Sequence, residues 1–427
     1  MNFNAFIVRS NMGECVSLML FDVLLPIADV YGDASLVIPW YLEGHYMYAM
    51  AMTIPMLLNY IFTSFKWWSF EEKKHKWWSW ILVLFQLWQP YKASKVMLLL
   101  YKNDDKAHVK KKEMMRDLSS IEPFLESLPA VLIMTTLWVH GLGQKRYPWN
   151  RYDFDVGFCK NTTSIQTDLS IEDQNFCAVF GGFGSHWSFF TTYGISVLAA
   201  SLGITKFLQH GPCAILSTNG ILGGMLTWRF LLAFIASMLA LLTKGLLEGS
   251  LVRMAEKEDL RWYFLLIFVS LCVVPNLLLA IASIAKVTGW NKRLLKVMID
   301  YPAILLLPVF SNFVVGSRIN SKCEDSNVNI LRSQFTVSRS MTAVNTILTL
   351  FCYIVTIVIA DKMSGRSDTL RRTSSGFAPF VFLNLLATIG FIYPDKICCP
   401  CCCPYSCFEL NSEYIITPRS SKDIEMM

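Results

Sequence analysis

The sequence predicts an all-α fold: a polytopic membrane helical bundle of about eight transmembrane helices plus two broken, re-entrant helices. Three observations carry that prediction. Of 427 residues, 54% are hydrophobic and only 16% are charged, whereas a soluble domain carries about a quarter charged residues. The apolar residues gather into several long continuous runs, which favours spanning helices over the alternating pattern of a β-barrel. Lysine and arginine gather in short links between those runs, as they do in cytoplasmic loops. The formal net charge of +6 then suits an anionic lipid surface and implies no nucleic acid. No cleavable signal is expected, because residues 2–14 are polar and the first apolar run carries Asp22, Asp29 and Asp33.

After a cytoplasmic N-terminus (1–14), the first span runs from Cys15 to about Tyr41. Its three aspartates lie at i, i+7 and i+11, on one helical face. His45 to Phe65 returns to a short basic link flanked by tryptophans, 66–76. The run from Trp77 to Tyr101 is apolar at both ends but interrupted by Gln86, Gln89, Pro90, Lys92 and Lys95. Both flanks are basic, so both belong on the cytoplasmic side. A segment that enters the membrane and returns, shielded by other helices, reconciles the two facts.

The stretch Ser120-Ile-Glu122-Pro-Phe-Leu-Glu126-Ser-Leu-Pro129 opens the next apolar run. In α-helical geometry Glu122, Glu126 and Pro129 share one face. Carboxylates at a membrane entrance are costly unless they meet water, a cation or a polar headgroup. Residues 141–187 form the longest polar loop. It holds the sequon at Asn161 and the pair Cys159 and Cys177, and a glycan and a disulfide both require the extracellular or luminal side. Phe189 to Leu208 then closes the first helical half (15–208).

The second half (209–393) repeats the order. Ile221 to Leu247 goes out, and Tyr263 to Lys286 returns to the basic link 291–296. Val297 to Gly316 is broken by Asp300, Pro302, Pro308 and Asn312. Ser340 to Ala360 and Gly376 to Tyr393 complete the count. Both halves start from the same side, which permits a parallel pseudo-repeat. The loop 361–375 is basic yet must lie outside, against the charge rule.

The cytoplasmic tail (394–427) opens on Cys398, Cys399, Cys401, Cys402 and Cys403, with Cys407 beyond. Cysteines directly after a membrane segment suit acylation. Zinc is the rival, but no histidine accompanies them and the spacing is not a standard ligand pattern. The six histidines are scattered. No metal, no cofactor and no enzymatic chemistry is expected, since neither a phosphate loop nor a nucleophile–base spacing occurs in a soluble domain.

Several of these motifs resemble the XK-related membrane proteins, some of which are phospholipid scramblases. Glu122-Pro-Phe-Leu-Glu126-Ser-Leu-Pro129 resembles that family's E-x-F-L-E-[ST]-x-P-Q, with Ala130 in place of the glutamine. Asp29-Val-Tyr-Gly-Asp33 followed by Gly44-His-Tyr46 is similar to its first helix. Phe85-Gln-Leu87 with Lys92 resembles a Leu-Gln-Leu segment that ends in arginine. Trp228-Arg229, Phe310-Ser-Asn312 with Gly316, and Asn345-Thr-Ile-Leu348 are thinner matches. Val315 and Val344 stand where the family has glutamates. The basic residue usual near Ala236 and the aspartate usual near Ser201 are missing. The resemblance spans about Phe21 to Cys403 and implies eight spans, two buried broken helices and residence in the plasma membrane. Family scramblases switched on by caspase cutting carry a tail site. This chain has no D-x-x-D, and only Asp325 and Asp423 are candidates.

These residues define the candidate lipid path: Asp29, Asp33, Lys92, Glu122, Glu126 and Lys206. Carboxylates would meet a headgroup amine and lysine a phosphate, replacing hydration stepwise. The same residues could instead pair with one another or cap helix starts, or conduct ions. The expected partners are membrane phospholipids, another membrane protein or a second copy of the chain. A non-transporting subunit bound to a lipid-transfer or other membrane protein is the alternative to a scramblase.

Overall fold

Proline placement shapes the first helix, α1, which is continuous over 12–42. Pro26 cannot donate to the carbonyl of Asp22, and its ring crowds that carbonyl out of α-geometry. The helix widens there into a π-helical turn, Met19–Leu24, in which the Leu25 amide bonds the Leu20 carbonyl, five residues back. The regular α-helix follows at Leu25–Leu42. Helix α5 repeats the device: a π-helical turn at Pro123–Ser127 precedes Pro129, and Leu128–Gly141 is α-helical.

In this computed structural model the described residues are 12–42, 46–70, 78–102, 123–141, 186–210, 227–257, 274–288, 302–317, 335–363 and 378–392. A few more lie within 104–114 and at 216 and 225. They are helical apart from one short ribbon and brief non-helical links such as 85–87 and 311–314. Helix α2 is Tyr46–Phe70, α3 Trp78–Leu84, α4 Trp88–Tyr101, α6 His186–His210 and α7 Trp228–Lys257. Helix α8 is Val274–Thr288, α9 Pro302–Phe310, α10 Arg339–Met363 and α11 Ala378–Ile392. Strands β1 (Val315–Ser317) and β2 (Phe335–Val337) pair antiparallel, with Gly316 opposite Thr336. The fold is thus all-α, as expected.

The interruption expected between Trp77 and Tyr101 is real and has a defined geometry. The Gln86 amide bonds the Val83 carbonyl, and the Leu87 amide bonds the Leu82 carbonyl at 2.7 Å. This is the Schellman closure of a helix, with Gln86 at the left-handed position (φ 55°) where glycine is usual. In the second half, α9 has nine residues, then leaves helical geometry for β1. Its length is about 14 Å, half a hydrocarbon layer.

Helix α7 is central: it packs on α5, α6 and α11. The main core gathers Phe124, Met134, Phe207, Leu241, Ile304 and Phe313 from α5, α6, α7 and the α9 region. A second cluster, including Leu18, Val83, Trp88 and Leu100, joins α1 to α3 and α4.

Two helices among the described residues are long and apolar enough to cross a membrane by length and composition, Met12–Ile38 and Trp228–Gly249. Ala49–Phe65, Pro123–Thr136 and Ala378–Ile392 are shorter apolar helices. The outer surfaces add to this. On α2, Tyr46, Met50, Ile54, Leu57, Ile61 and Phe65 are all exposed along one stripe. At 1.5 Å per residue that stripe is about 28 Å long. On α10, Ile347, Phe351, Ile354 and Val358 form another. A helix facing water carries polar residues on this side.

Close helix contact depends on glycine at one place above all. A Cβ on Gly203 in α6 would land inside the Pro123 ring of α5. Gly203→Ala should therefore cost about 1–3 kcal/mol, as overpacking does. Gly194→Ala, which meets nothing within 4 Å, should be neutral or slightly stabilising. Thermal melting of the two variants in the same detergent checks the contrast.

Candidate functional site

The predicted acidic face of α1 turns inward. Asp22, Asp29 and Asp33 are all buried, as is Glu126 on α5. Each is held differently. Asp29 accepts hydrogen bonds from Ser127 Oγ of α5 at 2.8 Å and Ser196 Oγ of α6 at 2.6 Å. Asp22 is ion-paired with Lys206 of α6 at 2.7 Å, and the same ammonium lies 5.9 Å from the Phe21 ring centroid. Glu126 accepts from Asn59 Nδ2 of α2. The Gln86 amide, oriented with its nitrogen toward Glu126, donates to Oε2 at 3.0 Å.

Asp33 differs from the rest. It is fully buried, and neither carboxylate oxygen has a hydrogen-bond partner. Asp29 and Glu126 both act on it electrostatically. Gly32 beside it lets α6 approach: a Cβ there would sit 3.0 Å from Thr192. Four helices thus converge on one acidic region: α1 supplies aspartates, α5 Glu126 and Ser127, α6 Ser196 and Lys206, and α2 Asn59. Among the described residues no three acidic, histidine or cysteine side chains come together in a group that could hold a metal ion.

The strained break between α3 and α4 belongs to this region. Gln86 holds a backbone conformation that disfavours any residue with a Cβ by about 1–2 kcal/mol, and its side chain reaches Glu126. Gln86→Gly should relieve the backbone but leave Glu126 a donor short, so the stability gain stays below the about 1 kcal/mol that glycine otherwise brings. Thermal melting of Gln86→Gly beside Gln86→Asn checks it.

Lys92 is half-buried, its ammonium 5.3 Å from the Trp88 ring centroid. Glu122, Asn161, Cys159, Cys177 and the tail cysteines Cys398, Cys399, Cys401, Cys402 and Cys403 lie outside the described residues. Lys206, expected to serve the path from the cytoplasmic end, is buried and ion-paired with Asp22. One correction concerns the face expected to join Glu126 to Pro129. The Pro123–Ser127 turn is π-helical, so the α-helical spacing that placed Glu126 beside Pro129 does not apply there.

The second half holds a polar centre of another kind. Lys244 of α7 donates to the carbonyls of Pro308 at 2.6 Å and Ser311 at 2.7 Å. Asn345 Nδ2 of α10 donates to the same two carbonyls and to that of Asn312. Asn312 Nδ2 donates to Asn384 Oδ1 at 3.0 Å and Thr388 Oγ1 at 3.2 Å, both on α11. These carbonyls end α9, where a helix leaves its last acceptors unpaired and negatively polarised. Sequence reasoning did not single out Lys244, Asn384, Ser196 or Asn59, and it included Ser127 only as part of the Glu122–Pro129 motif. The one signal they carry is polarity inside an apolar run.

Searches against known families find no family model that matches the chain, and no curated protein matches it.

Proposed function

We propose that this chain is an integral membrane protein of the XK-related type that moves phospholipid headgroups between leaflets. The observation that carries the reading is Asp33: a fully buried, unpartnered carboxylate beside Asp29 and Glu126. An isolated buried carboxylate is costly unless a cation or water reaches it. A headgroup amine supplies that cation. From Asp22 to Asp33 the acidic residues of α1 rise about 16 Å, roughly half the hydrocarbon thickness. Headgroups would pass between fixed charges while the acyl chains stay in lipid.

The exposed apolar stripes on α2 and α10 suit a lipid-facing perimeter, which supports the eight-span arrangement with α3–α4 and α9 as re-entrant elements. The plasma membrane is the proposed location, on the strength of the motif resemblance. Reconstitution of the full chain into liposomes carrying headgroup-labelled lipid on both leaflets tests the function. Quenching from outside should run past half of the signal. A plateau near half, before and after limited proteolysis of the cytoplasmic segments, would contradict scrambling.

A second reading is a non-transporting subunit for a lipid-transfer or other membrane protein. Its support is the second half, where Asn312, Asn345, Asn384 and Thr388 bond one another or backbone in place of a matching acidic face. Purification from native membrane with no stoichiometric partner would count against it.

A further inference from the structure

Lys244 is tied to the end of α9, although a carboxylate stands one turn away on its own helix. Glu248 follows at i+4, a spacing at which side chains on a helix meet. Glu248 Oε2 is closed off from solvent and has no hydrogen-bond partner. The ammonium instead bonds the Pro308 and Ser311 carbonyls. Those carbonyls have a second donor: Asn345 Nδ2 reaches Pro308 O at 3.1 Å, Ser311 O at 3.2 Å and Asn312 O at 3.3 Å. Lys244 can therefore leave α9 without orphaning either acceptor, which removes the usual penalty for breaking a buried hydrogen bond.

We propose that Lys244 is a two-position toggle, bound either to the carbonyls that end α9 or to Glu248. In the first position α7 grips the junction of α9 and β1. In the second the ion pair closes within α7, and the end of α9 keeps its Asn345 bonds to α10. The ammonium has acceptors in both positions: the first leaves Glu248 Oε2 without a partner, the second gives up two carbonyls that Asn345 still serves, and that is the condition for two nearly balanced states. Besides these carbonyl bonds the junction is held by Ser311 N to Leu307 O, Phe313 N to Ser311 Oγ, Val314 N to Thr342 Oγ1, Ser338 N to Val314 O, and the Asn312 side chain to α11. Release by Lys244 thus bears directly on the non-helical segment that connects α9 to β1. The toggle does not depend on lipid transport.

Hydrogen exchange at the Ser311 and Val314 amides of the full-length chain in detergent reads the position of the toggle. Lys244→Met should speed exchange at both by about tenfold, the loss of a charge-assisted hydrogen bond. Glu248→Gln removes the second position and should slow it about threefold or more relative to wild type. The double variant should match Lys244→Met. Unchanged exchange in Glu248→Gln would overturn the proposal, and so would a double variant that exchanges more slowly than Lys244→Met. If Lys244→Met does not fold, Glu248→Gln alone decides.

Discussion

Lys206→Met should destabilise the protein by about 3–5 kcal/mol, the loss expected when one partner of a buried ion pair is removed. Asp22 has no other support to fall back on. Its Oδ2 is already buried without a partner, and its Oδ1 is the atom that Lys206 holds. The variant would leave a carboxylate among Leu18, Val23 and the π-helical turn with nothing to neutralise it. The pair is nonetheless weak support for the fold in absolute terms, because removing two ions from water offsets most of their attraction. Lys206→Met/Asp22→Leu should therefore recover most of the loss. Thermal melting in one detergent shows the pattern: a deep fall for the single variant and a shallow one for the double. Equal falls in both would mean that the loss does not come from leaving the Asp22 charge uncompensated.

The second large effect separates stability from transport. Asp33→Asn keeps the shape of the side chain and removes the charge. Because Asp33 has no donor to lose, its replacement relieves burial of an unpaired charge and like-charge repulsion from Asp29 and Glu126. Stability should rise by about 1–2 kcal/mol. Asp29→Asn should do the opposite, since Ser127 and Ser196 both donate to Asp29 and an amide nitrogen facing those hydroxyls loses one acceptor. If Asp33 were only a packing residue, the same variant would leave transport untouched. If it receives a headgroup amine, transport falls although the protein is firmer.

Much of this site is visible in the bare sequence, and the reason is cost. Asp29 and Asp33 interrupt an apolar run, and an aspartate in such a run survives only if it faces inward. Their spacing on α1 fixes that face. Glu126 is marked the same way. The break at Gln86 shows through the polar cluster from Gln86 to Lys95. What the sequence hides is the set of partners. Ser127, Ser196 and Asn59 are ordinary in composition and lie 98, 167 and 67 residues from the side chains they contact, so only the packing of α2, α5 and α6 brings them together. The two π-helical turns were also missed. Each is foreshadowed by a proline one turn later, Pro26 and Pro129, yet the helical wheel assumes 3.6 residues per turn throughout. In the second half the expected charges are absent, and Lys244 stands about two turns beyond Ala236, the position near which the resemblance implies a basic residue.

The most direct measurement compares wild-type and Asp33→Asn protein in liposomes with the same labelled lipid, scored by the rate of outward movement after the outer leaflet is quenched. The account predicts wild-type transport past the half-signal plateau and a rate at least about tenfold lower in Asp33→Asn, with an unchanged or higher melting temperature. Equal rates in the two proteins would contradict it, because the buried carboxylates of α1 would then stand outside any route the lipid takes.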